Sequence, residues 1–258
     1  MRSTPRKQLG QHFLHDPAVI GRIIREVAPQ PRDRIVEIGG GLGALTRPLL
    51  EHVEELHVVE IDARLAGELE QHGRSSGTRL VVHHADALKF DFSSLSSGPG
   101  TLRVVGNLPY NISTPLLFHL LSHRAAIADM VIMVQKEVAK RIVSPPGNKD
   151  YGRLTVMLSA WMDAETCFDV GPGAFKPPPR VWSTVLHARP RVCARFAVDD
   201  EQRFADLVRR AFSMRRKTLR RGLAGLLTRE QIESAGVDPT ARPETLEPAQ
   251  FAALARLI

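Results

Sequence analysis

A chain of 258 residues, 43% apolar and 24% charged, is long enough to bury a full core and has ordinary globular composition. It has no apolar run near the ~18 residues of a membrane span, and its net charge of +7 points to a polyanionic partner. Two cysteines, Cys167 and Cys193, make neither a disulfide framework nor a metal site, and Met1 to Gln11 has no apolar leader core, so a reducing cytoplasm is expected.

In chain order, the basic start (Arg2, Arg6, Lys7) leads into Gln11-His12-Phe13-Leu14. Asp16 then caps a helix with Pro17 at its first position and Val19, Ile20, Ile23, Ile24 and Val27 along one face. Pro29 and Pro31 close it, and 34–38 reads as a short apolar strand. Gly39-Gly40-Gly41-Leu42-Gly43 follows and opens a helix through Leu50. Further strands are expected at 56–60, 80–83, 102–106 and 130–134, with helices from Asp62 to about Gln71, from Thr114-Pro115 to about Ser122, and over 136–143. Strands alternating with helices at this spacing imply βαβ units and a mostly parallel sheet. The runs 165–170 and 181–188 could pair as an antiparallel hairpin at the sheet edge, with the proline-rich loop between them at its tip. After Arg189-Pro190 the pattern is wholly helical, with segments near 200–213, 217–227, 228–235 and 248–257. The expected boundary therefore divides 1–189 from 190–258.

The charge is uneven. From His187 onward 14 basic residues stand against 9 acidic ones, and Arg209, Arg210, Arg215, Arg216, Lys217, Arg220 and Arg221 form a run with no acid among them. Such density suits nucleic-acid backbone contacts, which position a partner without reading its sequence. Lys136, Lys140 and Arg141 suit either phosphates or a solvated helix face. Trp161 and Trp182 are most simply packing residues, and the adjacent His83 and His84 point to opposite strand faces and make no metal site.

The stretch Val104-Val105-Gly106-Asn107-Leu108-Pro109-Tyr110 is an apolar strand ending in a rigid corner, since proline fixes its own φ and restrains its predecessor. Such a corner can aim the Asn107 side-chain oxygen and the Leu108 carbonyl at one point, two acceptors suited to an exocyclic amine. Tyr110 could stack on a flat base, with Phe175 a candidate for the other side of the stack. Gly39-x-Gly41-x-x-Ala44, with Glu60 about 20 residues on, fits a nucleotide-binding loop with a ribose-binding acid. Alone it does not separate NAD from S-adenosylmethionine. Glu37 just before the glycines could engage an amino-acid ammonium, Asp86 after the third strand could bond an adenine amine, and the corner completes a set favouring S-adenosylmethionine.

Gln11 to Leu14, Val36 to Thr46, Gly106 to Ser113, Gln135 to Arg141 and Phe175 to Ser183 together resemble the ribosomal RNA adenine dimethylases, small-subunit branch, over essentially the whole chain. The resemblance implies a Rossmann-like class I methyltransferase α/β sheet with a small all-α C-terminal domain. It implies S-adenosylmethionine as cofactor, held by His12, Leu14, Gly39, Glu60, Asp86 and Asn107, and dimethylation of two adjacent adenines near the 3′ end of small-subunit (16S) rRNA. The pre-30S particle would be the partner and the protein a monomer. The family usually has Asn where His12 stands and often Pro where Gly40 stands. Three alternatives remain open: a resistance-type dimethylase of large-subunit rRNA, a DNA adenine methylase, or an assembly factor that chiefly binds rRNA. An NAD-dependent oxidoreductase would lack an evident hydride-transfer partner.

Overall fold

A computed structural model describes residues 11–73, 79–214 and 217–258; the expected RNA contacts Arg215 and Arg216 and the basic residues before Gln11 lie outside that set. Contacts divide the chain into two units, one running to Ala139 and resuming over Ala164–Pro190, the other made of Lys140–Asp163 and Arg191–Ile258. The boundary at 190 is thus one of three crossings, and the expected single division is incomplete.

In the first unit, β1 (Phe13–Leu14) precedes α1 (Pro17–Val27), whose N-cap Asp16 accepts from the Ala18 and Val19 amides. The order continues β2 (Arg34–Ile38), α2 (Thr46–Leu50), β3 (Glu55–Glu60), α3 (Ala63–Gly73), β4 (Arg79–His84), β5 (Leu102–Asn107), α4 (Ser113–Ser122), β6 (Ile127–Gln135) and α5 (Lys136–Ile142), whose last three residues belong to the second unit. Helix α2 starts three residues later than the sequence pattern indicates. Gly39, Gly41 and Gly43 all have positive φ, so the backbone turns through left-handed conformations before it can wind.

After α6 (Arg153–Trp161) come β7 (Met162–Val170), β8 (Phe175–Lys176) and β9 (Ser183–Pro190). The seven-stranded sheet has the order β4-β3-β2-β5-β6-β9-β7. Pairings among β2, β3, β4, β5 and β6 are parallel, and β9 runs antiparallel to β6. The two late runs do end the sheet, but β9 is clamped between β6 and β7, with β7 at the edge. A pairing the sequence does not signal joins β1 to β8 across more than 160 residues, Leu14 opposite Phe175. Ile35, Leu56, Val58, Val105 and Val131 bury the sheet against Val27, Leu49 and Leu69 from the helices.

The second unit contains α6 and four later helices: α7 (Glu201–Ser213), α8 (Leu219–Gly222), α9 (Arg229–Ser234) and α10 (Pro248–Ala255). Phe204, Leu207, Val208 and Ala211 form the buried stripe of α7, with Trp161 meeting Phe204 edge-on at 5.8 Å and Phe251 stacked on Phe212 at 5.6 Å. The helix expected over 217–227 shrinks to one turn, since Gly222 ends it and Gly225 takes φ +80.

Candidate active site

Strands β2 and β5 are parallel neighbours, with Val36 opposite Val104 and Glu37 opposite Val105, so their C-terminal ends open on one edge of the sheet. Gly106 permits that approach: a Cβ there would lie 2.7 Å from the Ile38 carbonyl oxygen. A cleft at this edge is lined by the glycine loop, by Glu37 and Glu60, by the corner Asn107 to Tyr110, and by Gln11 to Leu14. Of the expected site residues, His12, Leu14, Glu37, Gly39, Gly41, Glu60, Asn107, Leu108, Pro109 and Tyr110 come together here.

Asn107 ends β5, and its amide nitrogen donates to the His12 carbonyl at 3.0 Å. A carbonyl only accepts, so the orientation is fixed and the side-chain oxygen faces the other way. That oxygen is buried and has no hydrogen-bond partner among the described residues. An unpaired buried acceptor costs about 1–3 kcal/mol, a cost a ligand donor would remove. Leu108 is fully buried, its amide donating to the Met133 carbonyl at 3.0 Å, which pins the corner to β6. The Tyr110 hydroxyl hydrogen-bonds the Ser183 hydroxyl, and burial raises the phenol above its ordinary pKa.

Glu60 is 5% exposed and fixes the loop: one oxygen accepts from the Gly41 amide at 3.0 Å, the other from the Asp62 amide at 2.9 Å. A carboxylate has about four lone-pair directions, so two acceptors remain for vicinal hydroxyls. Glu37 is 2% exposed and accepts from the Thr46 hydroxyl at 2.6 Å. Burial, with a smaller contribution from the Glu60 charge, pushes its carboxyl up to about 7 against the opposing Thr46 hydrogen bond. Among the described residues neither acid has a cationic partner and no Lys or Arg lines the cleft. Two buried acids and an orphan acceptor fit a cationic ligand carrying a ribose and an amine.

His12 sits at 5.4 Å from the Tyr110 ring, stacked, with Nδ1 2.8 Å from the Pro177 carbonyl. Because that carbonyl accepts, Nδ1 carries the proton, which assigns the donor the sequence leaves open. Gly40 leaves room for Val58 and Leu69, whose methyl groups would stand 2.6 and 2.8 Å from a Cβ at that position.

Two expected residues do not line the cleft. Phe175 is 2% exposed and packs in the sheet's hydrophobic core, because β8 pairs with β1 and turns the ring inward. Its ring is therefore not presented to the cleft for a stack. Asp86 lies just beyond β4, part-buried, with one oxygen accepting from the Leu88 amide at 2.9 Å; it is not among the cleft-lining residues. Sequence reasoning also assigned no role to Thr46 or Ser183, the hydroxyls that hold Glu37 and Tyr110. Both close motifs that carried the resemblance, Val36 to Thr46 and Phe175 to Ser183, which was the available signal.

In the second unit, Arg209 pairs with Asp206 at 2.8 Å, and Arg210 donates to the Gly222 and Ala224 carbonyls at 3.1 and 3.4 Å. Arg210 therefore braces α7 against the following turn. Lys217, Arg220 and Arg221 are exposed. Near β3 and β4, His57 lies 3.0 Å from His83 and 2.8 Å from Glu55, yet no cluster that could hold a metal occurs among the described residues. No helix of the described residues is long and apolar enough to cross a membrane.

The model of the ribosomal RNA adenine dimethylase family matches residues 2–258. Similar proteins include the ribosomal RNA small subunit methyltransferase A of Nitrosomonas europaea, 48% identical over 100% of this chain and 98% of that one. The protein of the same name from Acinetobacter baylyi is 50% identical over 96% of this chain and 90% of its own. Among solved structures, a dimethyladenosine transferase from Plasmodium falciparum superposes with a TM-score of 0.77 at 26% identity, covering 94% of this chain and 96% of its own. The 23S rRNA methyltransferase ErmE gives 0.70 at 27% identity, covering 95% and 98%.

Proposed function

The chain belongs to the ribosomal RNA adenine dimethylase family, and we propose that it dimethylates the N6 atoms of two adjacent adenines near the 3′ end of small-subunit rRNA. The methyl donor is S-adenosylmethionine, which supplies a methyl group on a sulfonium, a good leaving group. The observation that carries the reading is the unpartnered side-chain oxygen of Asn107 at the cleft.

Adenine N6 is a poor nucleophile because its lone pair is delocalised into the ring. In the proposed geometry the Asn107 oxygen and the Leu108 carbonyl accept the two N6 hydrogens and favour a tetrahedral nitrogen. The Asn107 dipole is held before substrate arrives by the His12 carbonyl, and the chain leading to the Leu108 carbonyl is pinned by the Leu108 amide on Met133. Fixed acceptors of this kind stabilise developing charge without reorganising. Glu60 suits the ribose hydroxyls of the donor, and Leu14, Gly39 and Asp86 are assigned to it by the family resemblance. After one methylation a single N–H remains, so stacking must hold the base; Tyr110, stacked on His12, is the ring at the corner itself, with Phe13 also lining the cleft. An adenine in a helix has to leave its stack to reach the corner, which favours a flipped or single-stranded target.

The finer partner in this reading is an assembling small subunit in the cytoplasm, contacted through the basic second unit. The resistance-type alternative is less well supported, since the relatives near 48% identity over the full chain carry the small-subunit name. Transfer of labelled methyl groups to undermethylated 30S particles, with 50S particles and duplex DNA as controls, tests the proposal. N6,N6-dimethyladenosine from 30S alone is the expected product; label confined to 50S-derived rRNA would overturn it.

A further inference from the structure

Trp182 does not pack in a core: 53% of it is exposed, whereas the other tryptophan, Trp161, is 6% exposed. The packing role that sequence suggests for Trp182 holds only in part: its six-membered ring lies against Gly171, 3.6–3.9 Å from where a Cβ would stand there. Its neighbour Ser183 is fully buried and hydrogen-bonds Tyr110, so the indole leaves the chain directly beside the residue that anchors the catalytic corner. The Trp182 carbonyl accepts from the Lys136 amide at 2.9 Å, and Gln135 pairs with Ser183, which fixes the tryptophan backbone to the end of β6. The Lys136 ammonium stands 5.7 Å from the ring centroid and is shared with Asp169 at 2.5 Å. Exposed Lys176, which ends β8, and exposed Arg180, two residues before Trp182, make no ion pair among the described residues. Exposed Val181 adds apolar surface.

A half-exposed indole on a segment that also carries the exposed cations Lys176 and Arg180 matches single-stranded nucleic acid, which offers π-faces and phosphates along one strand. A core or protein-docking aromatic would more commonly be ringed by apolar neighbours. We propose that Trp182 is a stacking platform for a nucleotide flanking the target adenine, with Lys176 and Arg180 on its phosphates. This rests on the rRNA-substrate reading. It assigns the proline-rich loop a role in presenting the strand, separate from the acceptors that act on N6.

The chain's two tryptophans make the test direct. Titration of the full-length protein with a single-stranded oligoadenylate, read by tryptophan fluorescence, should quench the wild type and leave Trp182→Phe unchanged. In parallel, Trp182→Ala should raise KM for undermethylated 30S particles roughly tenfold with kcat within about twofold, and Trp182→Phe should recover much of that loss because phenylalanine still stacks. The substitution lies on the surface, so folding should be unaffected. Equal KM values for wild type and Trp182→Ala, or a wild type that RNA does not quench, would overturn the platform. A wild type that methylates no ribosomal particle would instead sink the function reading, and the fluorescence arm would still decide on Trp182.

Discussion

At the scale of single residues, the cleft separates groups that hold from groups that wait for a ligand. Asn107 does both: its nitrogen is spent on His12 and its oxygen is unpaired. Asn107→Ala should cut kcat by about 100- to 1,000-fold, as removal of one preorganised polar group commonly does. It should change stability little, because the lost hydrogen bond is offset by removal of an orphan acceptor. Single-turnover methylation and melting of the same preparation check both halves, and unchanged kcat would sink the role. If particles are still bound and released normally by that variant, an additional assembly role gains support. Glu37 supplies a pH prediction. Its folded carboxyl titrates near 7 and its ordinary value is 4.5, so between those values the folded protein holds a proton the unfolded chain releases. Its contribution to stability is therefore full below about pH 4.5, falls as pH rises, and is lost above about 7. For this fully buried group the loss is of the order of 3 kcal/mol. Glu37→Gln keeps a partner for Thr46 without the charge, so its stability advantage should grow from pH 5 to pH 8. A gap that does not vary with pH would refute this origin. The corner and both acids were legible in sequence because proline and glycine chemistry is local. The buried state of Phe175 was not, since it follows from a strand pairing between residues far apart in the chain.

At the scale of elements, local rules worked wherever one segment carried its own signal. Asp16 and Pro17 mark the start of α1, and the apolar runs of β2, β3 and β5 fall within a residue of the expected bounds. They failed where neighbours decide. Helix α6 has almost continuous apolar character over Leu154 to Trp161 and only a modest amphipathic pattern, because its burial is set by the unit it joins. The approach of β2 to β5 is an element-scale constraint that the sequence shows only as a glycine. Gly106→Ala would force a methyl group against the Ile38 carbonyl, which is backbone and cannot rotate away. It should destabilise the protein by about 1–3 kcal/mol or more and displace the Asn107 corner, lowering activity as well. Gly173→Ala is the matched control, since nothing lies within 4 Å of its added Cβ, and it should stay within about 0.5 kcal/mol of wild type. Denaturant melts of the pair check this; equal stability would mean that the strands part at no cost.

At the scale of the whole molecule, the chain passes between its two units three times, so the basic helical part is not a detachable tail and is best tested in the full chain. Most of the net charge lies in the last quarter of the sequence, yet charge count overstates the available contacts. Arg210 is committed to the carbonyls of Gly222 and Ala224, and Arg209 is partly neutralised by Asp206, whereas Lys217, Arg220 and Arg221 are exposed. Each lysine or arginine on a phosphate releases a counterion, adding about 0.7–0.9 to the slope of log K against log salt. The triple substitution of Lys217, Arg220 and Arg221 by alanine should therefore flatten that slope for 30S binding by about 2–3. Affinity should fall most at low salt, and S-adenosylmethionine binding should not change, since none of the three lines the cleft. Removing Arg210 should behave differently: it should loosen the turn after α7 and lower stability, with a smaller change in slope. Salt titrations of binding and melts of the two variants distinguish these outcomes. An unchanged slope in the triple variant would move the rRNA-contacting charge from this segment to the first unit, which carries exposed Lys176 and Arg180.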